Sequence, residues 1–210
     1  METYKQQFIE FVVRCGVLTF GDFVTKSGRK TPYFFNAGHF DSGAKMLALG
    51  RFYAQALLDQ YGGPVDCLFG PAYKGIPLAV AMAMALAERG HDVPFAYNRK
   101  EAKDHGEGGS LVGHKLRDGE RVVIVEDVTT AGTSVRESIE LFKAYGKIEP
   151  VALVVSVDRQ ERGQGDQSAL SELSAQLGLK PVPIITIDEV VEYLYNRPVD
   201  GRVVLDDAAL

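Results

Sequence analysis

Five short, nearly continuous apolar runs, at 65–69, 93–97, 121–125, 151–157 and 182–187, constrain this chain more than any other feature. The first leads through a loop into a helical stretch at 76–89, so apolar that it must be covered on nearly all sides, and the third, 121-RVVIV-125, into a helix from about Ser134 to Tyr145. Strands without polar alternation have to be covered on both faces, and strands alternating with helices build a parallel sheet between helical layers. The expected fold is therefore α/β, with a mostly parallel central sheet flanked by helices. On such sheets ligands bind beyond the carboxyl ends of the strands.

Ahead of this pattern, residues 3 to 14 carry Phe8, Ile9, Phe11, Val12 and Val13 among polar neighbours and read as a helix closed by Gly16. Residues 17–38 read as a small antiparallel hairpin turning at Ser27-Gly28, and 43–61 as a second helix ended by Gly62-Gly63-Pro64. Three segments lack periodicity: 98–118, 158–167 and the tail after Arg197.

A chain of 210 residues with 46% apolar content is long enough for one substantial core, so the expectation is a single domain over 1–210. A net charge of -5 argues against a nucleic-acid partner, while leaving room for a local basic pocket around a small anion. Cys15 and Cys67 have neither metal-ligand spacing nor the density of a disulfide scaffold, which fits a reducing compartment. The opening METYKQQFIEFVVRCGV lacks the basic flank and clean apolar run of a signal peptide. The run 76-IPLAVAMAMALA-87 is too short to span a bilayer. A cytoplasmic protein without membrane partners is expected.

The chemistry concentrates in 121-RVVIVEDVTTAGTSVRE-137, where a buried strand ends in Glu126-Asp127 and turns through small hydroxyl residues. Adjacent carboxylates need solvent, a cation or hydroxyl partners, since desolvating them unpaired is expensive. Gly132 permits close backbone approach to a ligand, and Ser134 with Glu137 has the spacing of a capping box, setting the helix start just after the loop. Free N–H groups, the positive helix end and the hydroxyls of Thr129, Thr130, Thr133 and Ser134 then converge on one spot suited to a phosphate. Carboxylates beside it suit the hydroxyls of a sugar phosphate. Neither the G-x-x-x-x-G-K-[ST] loop nor the G-x-G-x-x-G fingerprint is present. An ordinary acidic, threonine-rich turn is the competing reading.

The run VVIVEDVTTAGTS resembles the phosphoribosyl pyrophosphate (PRPP) motif of the type I phosphoribosyltransferases. The resemblance implies that Glu126 and Asp127 hold the ribose hydroxyls, while Val128, Thr129, Thr130, Ala131, Gly132, Thr133 and Ser134 wrap the 5'-phosphate. The first acidic position is often Asp in that family; Glu126 keeps the charge and reaches further.

Nearly the whole chain is similar to the bacterial, orotate-using members of that family. The segment 23-FVTKSGRKTPYFFNAG-38 resembles their N-terminal hood, about residues 1 to 40, which implies that Lys26 reaches PRPP and the base while Phe34 and Phe35 border the base. Strand alternation makes one of those two phenylalanines a core residue. The loop 70-GPAYKG-75 resembles the segment that embraces the pyrophosphate through Tyr73 and Lys74, often with unusual peptide geometry. Residues 98–113, with Arg99, Lys100, Lys103 and His105 among glycines, resemble the mobile catalytic loop, which implies a homodimer with shared active sites. The segment 158-DRQERG-163 places Arg159 where those enzymes recognise the carboxylate of orotate, with Thr130 also near the base.

The activity that the resemblance implies is transfer of the 5-phosphoribosyl group from PRPP to orotate, giving orotidine 5'-monophosphate and pyrophosphate in the synthesis of UMP. It also implies Mg2+ carried by substrate oxygens, with no protein ligand assigned. Lys103 is the expected principal loop catalyst, with His105 and Asp127 beside it. His39, His91 and His114 have no metal-site spacing. A transferase for another base and a regulator that retains a PRPP site are the alternatives.

Overall fold

The computed structural model describes residues 1–24, 28, 30–103, 109–128, 132–162 and 166–207, apart from the side chains of Ala102 and Lys103. In chain order the elements are α1 (Thr3–Arg14), β1 (Leu18–Val24), β2 (Lys30–Phe35), a 3-10 turn (Ala37–His39), α2 (Gly43–Gln60), β3 (Cys67–Gly70) and α3 (Gly75–Ala87). There follow β4 (Phe95–Lys103), β5 (Gly109–Gly113), β6 (Arg121–Val125), α4 (Thr133–Phe142), β7 (Glu149–Asp158), α5 (Ala169–Leu177), β8 (Lys180–Thr186), α6 (Ile187–Leu194), β9 (Pro198–Val199) and β10 (Arg202–Val203). They form two compact units, Met1–Lys45 with Ile185–Leu210, and Met46–Ile184.

In the first unit α1 buries Phe8, Ile9 and Val12, and Gly16 closes it in the left-handed conformation that glycine adopts without strain. The hairpin pairs β1 with β2 antiparallel, with a register shift between Phe20 and Phe23. Tyr33 faces inward and Phe34 outward, where its ring packs against Phe23 at 5.6 Å. The tail after Arg197 contributes a two-stranded β9–β10 ribbon, too short for a periodic signal. Helix α6 starts in a complete capping box between Thr186 and Glu189.

The second unit is organised by a six-stranded sheet in the order β5-β4-β3-β6-β7-β8. Strand β3 pairs parallel with β4 and β6, and β6 parallel with β7, while β5 runs antiparallel to β4. The expected mostly parallel sheet between helices is thus observed, and β6 has the bounds read from the sequence. One core cluster joins Cys67, Phe69, Val122, Ile124, Leu153 and Val155 of the sheet to Val135 and Phe142 of α4 and to Leu170 and Leu173 of α5. Phe69 meets Phe142 edge to face at 4.9 Å.

Three expectations need correction. The segment 98–118 is not loop throughout: β4 runs on to Lys103 and β5 returns from Gly109, with Tyr97 opposite Val112 and Asn98 opposite Leu111. On β4 Lys100 and Glu101 are both exposed, so no apolar alternation marks that stretch. The cover expected on nearly all sides of α3 is incomplete in the single chain, because Pro77, Met84 and Ala87 lie on one exposed stripe, Met84 at 58%. Ile187 belongs to α6 and not to the preceding strand, because the Thr186 cap turns the chain there.

Candidate active site

Strand β6 delivers Glu126 and Asp127 to the carboxyl end of the sheet. Their partners match what two adjacent carboxylates require. Glu126 is buried; burial pushes its carboxyl above the ordinary range, a tendency that the nearby Ser134 side chain opposes. Asp127 accepts the Val128 amide on Oδ1 at 2.8 Å and the Lys74 ammonium on Oδ2 at 2.8 Å. The lysine is 73% exposed, so the pair holds little folding energy while placing a cation beside the acidic pair.

Lys74 is brought there by the tight turn after β3. A Cβ on Gly70 would lie 2.2 Å from the carbonyl oxygen of Gly75, so only glycine allows the chain to fold back so sharply. Within the turn the Ala72–Tyr73 peptide is cis, the unusual geometry expected of this loop. The Ala72 amide donates to Asn98 Oδ1 at 2.7 Å, tying the turn to β4, and the Lys100 ammonium sits 5.5 Å from the centroid of the exposed Tyr73 ring. Arg99 is half-buried on the same strand. Tyr73, Lys74, Lys100, Glu126 and Asp127, distant in sequence, therefore gather at the ends of three adjacent strands.

Helix α4 opens beyond Asp127, but not through the expected capping box. It begins at Thr133 with Gly132 at the cap and no side-chain cap bond, which leaves Ser134 within the first turn and not at the cap. Gly132 also meets a demand of the fold itself. Its φ is +69°, a left-handed backbone that favours glycine, and a Cβ there would also press the Leu173 side chain of α5, 2.4 Å from its Cδ2. The first amides of α4 still lack partners inside the helix, and its positive end faces the acidic turn.

Arg159 follows β7 and is held by Glu161, Nη2 to Oε1 at 2.7 Å, with both side chains largely buried. Phe34 is half-exposed on β2 and Phe35 partly buried. Lys26, His105, Thr129, Thr130 and Ala131, and the side chain of Lys103, lie outside the described residues. Sequence reasoning does not find Asn98, Tyr53 and Ser156. The side chains of Asn98 and Tyr53 bond backbone groups, and that of Ser156 bonds the Tyr53 hydroxyl, which only the fold brings within reach, so spacing carries no sign of them.

Among the described residues no group of three or more His, Cys, Asp or Glu can hold a metal ion. Glu126 and Asp127 nevertheless suit Mg2+ that keeps its waters and substrate oxygens, which commonly needs only one or two carboxylates. Among the described residues no helix is long and apolar enough to cross a membrane.

Comparison with known proteins agrees with this geometry. The phosphoribosyl transferase domain family matches residues 37–189. The orotate phosphoribosyltransferase of Lachnoclostridium phytofermentans is 56% identical over 208 residues, covering 99% of this chain and 92% of its own. Among solved structures, the orotate phosphoribosyltransferase of Francisella tularensis is similar at a TM-score of 0.82 and 37% identity, over 97% of this chain and 93% of its own. Adenine phosphoribosyltransferase from Saccharomyces cerevisiae shares the fold at a TM-score of 0.59 and 16% identity, covering 88% of this chain and 99% of its own. With the acidic turn, the lysine loop and the parallel sheet all in place, the chain belongs to the phosphoribosyltransferase family, on the side of its orotate phosphoribosyltransferases.

Proposed function

We propose that the chain transfers the 5-phosphoribosyl group from PRPP to orotate, yielding orotidine 5'-monophosphate and pyrophosphate for UMP synthesis. The observation that carries this reading is the meeting of Glu126-Asp127, Lys74 and the start of α4 at the carboxyl end of β6. The high identity to orotate phosphoribosyltransferases along the full chain supports the choice of base and the treatment of 1–210 as one functional domain.

In this reading the carboxylates of Glu126 and Asp127 accept from the ribose hydroxyls, and Val128 through Ser134 surround the 5'-phosphate. As the bond from ribose C1 to pyrophosphate breaks, positive charge grows on the sugar and negative charge on the leaving group. Asp127 faces the first; Tyr73, Lys74, Arg99, Lys100, Lys103 and His105 attend the second, which is electrostatic catalysis by prearranged charge. To bind PRPP, Lys74 exchanges Asp127 for a phosphate oxygen. Mg2+ carried by substrate oxygens adds further charge neutralisation of the pyrophosphate.

Arg159 supplies base selectivity, its guanidinium passing from Glu161 to the carboxylate of orotate, a group absent from uracil and the purines. Lys26, Phe34, Phe35 and Thr130 complete the base contacts in the same reading. The exposed stripe of α3 supports a homodimer, since an apolar helix face left open on one chain is readily covered by a second copy. Shared active sites follow from the resemblance of residues 98–113 to the exchanged catalytic loop. A cytoplasmic location fits two free cysteines.

The test is the ultraviolet absorbance loss of orotate on addition of protein, PRPP and Mg2+, with PRPP omitted as control and with uracil and purines as competing bases. Loss of orotate that needs both PRPP and a divalent cation, with release of pyrophosphate, is expected. Arg159→Ala should raise KM for orotate about 100-fold and leave KM for PRPP within about twofold. Equal weakening of both substrates would remove Arg159 from the base pocket.

A further inference from the structure

Strand β6 ends at Val125, and the two residues beyond it must find new partners for their backbone. The Glu126 amide still donates to Val154 O at 3.0 Å, and Asp127 O accepts the Ser156 amide at 2.9 Å. The carbonyl of Glu126 is taken instead by a side chain, the Tyr53 hydroxyl from α2, at 2.7 Å. Ser156 Oγ of β7 lies 2.7 Å from the same hydroxyl. Since the single phenolic proton is directed at the Glu126 carbonyl, the serine hydroxyl donates to Tyr53.

Tyr53 and Ser156 are fully buried, at 0% exposure each. Phenylalanine and alanine would fill the same space without bringing hydroxyls into an apolar interior, where each hydroxyl is costly until bonded. Core filling therefore leaves the hydroxyls unexplained. Their common target explains them: helix α2 and strand β7 converge on the peptide that joins the two carboxylates. Because the peptide is planar, holding the Glu126 carbonyl fixes the Asp127 amide and Cα, and the Ser156 amide on Asp127 O holds the next peptide, so the Asp127 side chain departs between two fixed planes. Burial raises the Tyr53 hydroxyl well above its ordinary pKa, so it stays a donor at every working pH.

The geometry points to Tyr53 and Ser156 as positioning residues that aim Glu126 and Asp127 at the ribose of PRPP. They touch no substrate; their effect is exerted through the Glu126–Asp127 peptide. The inference rests on the reading of that acidic pair as the ribose-binding group.

The experiment compares wild type, Tyr53→Phe, Ser156→Ala, the double variant and Asp127→Asn. It measures PRPP binding by calorimetry, KM for each substrate, kcat and Tm. Tyr53→Phe should weaken PRPP about tenfold and Ser156→Ala about threefold, with KM for orotate unchanged. The double variant should lose less than the product of the two, as members of one network do. A lowered Tm with unaltered PRPP affinity in both single variants would reduce the pair to core packing and overturn the inference. If Tyr53→Phe does not fold, Ser156→Ala decides alone, because it keeps the phenol in place. Asp127→Asn separates the two levels. Normal PRPP binding in that variant overturns the ribose reading and the inference together; weak binding there, with Tyr53→Phe and Ser156→Ala intact, overturns the inference alone.

Discussion

The two ends of the parallel sheet treat their charges differently. At the amino end, Arg121 grips Asp66 as a fork, Nε to Oδ2 at 2.7 Å and Nη2 to Oδ1 at 2.8 Å. Its amide adds a third bond to Oδ2 at 2.9 Å, and the Asp66 amide returns one to the Arg121 carbonyl at 2.9 Å. Hydrogen bonds from that guanidinium hold the Asp66 carboxyl down at about 2. At the carboxyl end burial pushes Glu126 upward, and Asp127 relies on the tip of a long, exposed lysine. One end uses charge to fasten strands. The other keeps charge in a setting the fold alone would not select, which is the arrangement expected where a ligand is to be met.

The largest effect tests the carboxyl end. Lys74→Ala should lower kcat/KM for PRPP by about 100-fold or more, the scale of removing one prearranged charge from a polyanionic transition state. Its Tm should stay close to wild type, because the ion pair it breaks is solvent-screened. Loss of fold in place of activity would make the two ends alike and dissolve the contrast.

Asp66→Asn should do the reverse, leaving kinetic constants unchanged while lowering Tm at neutral pH by about 3 °C. The Asp66 carboxyl titrates lower in the fold than its ordinary 3.8, so its contribution is present above that pH and is lost as pH falls through about 2. The gap in Tm between wild type and variant should therefore narrow over that window in acid-titrated melts. A gap that persists below it would assign the stabilisation to packing and not to charge.

The same division explains what the sequence discloses. Strand β6 is legible because a buried parallel strand has to be apolar along its length, and the acidic pair because nothing but chemistry excuses two carboxylates at its end. The capping box fails for a physical reason: Gly132, in the left-handed conformation, takes the cap position, so Ser134 already lies inside the helix and its spacing to Glu137 has no free amide to serve. The β4–β5 ribbon escapes notice because consecutive exposed residues, Lys100 and Glu101, leave β4 without an apolar alternation. Helices α5 and α6 carry plain local signals that an eye on apolar runs passes over. Ser168 caps the first, the Thr186–Glu189 box opens the second, and Gly178 stops α5 in the left-handed conformation. Tyr53 and Ser156 have no such signal, since a carbonyl can lie opposite any residue until the topology is known.

Glu126→Gln gives the smallest and most diagnostic change, because its sign opposes that of Asp66→Asn. In the fold the Glu126 carboxyl titrates above its ordinary 4.5, chiefly through burial, so the native state holds the proton more tightly than the unfolded chain does. Stability linked to this group is fully present below 4.5 and is lost as pH rises through the raised folded value. A glutamine has nearly the same shape and carries no charge to desolvate. Melts of the variant and wild type should diverge with rising pH, the variant gaining in Tm by neutrality even as its affinity for PRPP falls. Stability gained where activity is lost would mark the Glu126 charge as serving the ligand. A variant that melts lower at neutral pH would place Glu126 with Asp66 among the charges that hold the sheet together.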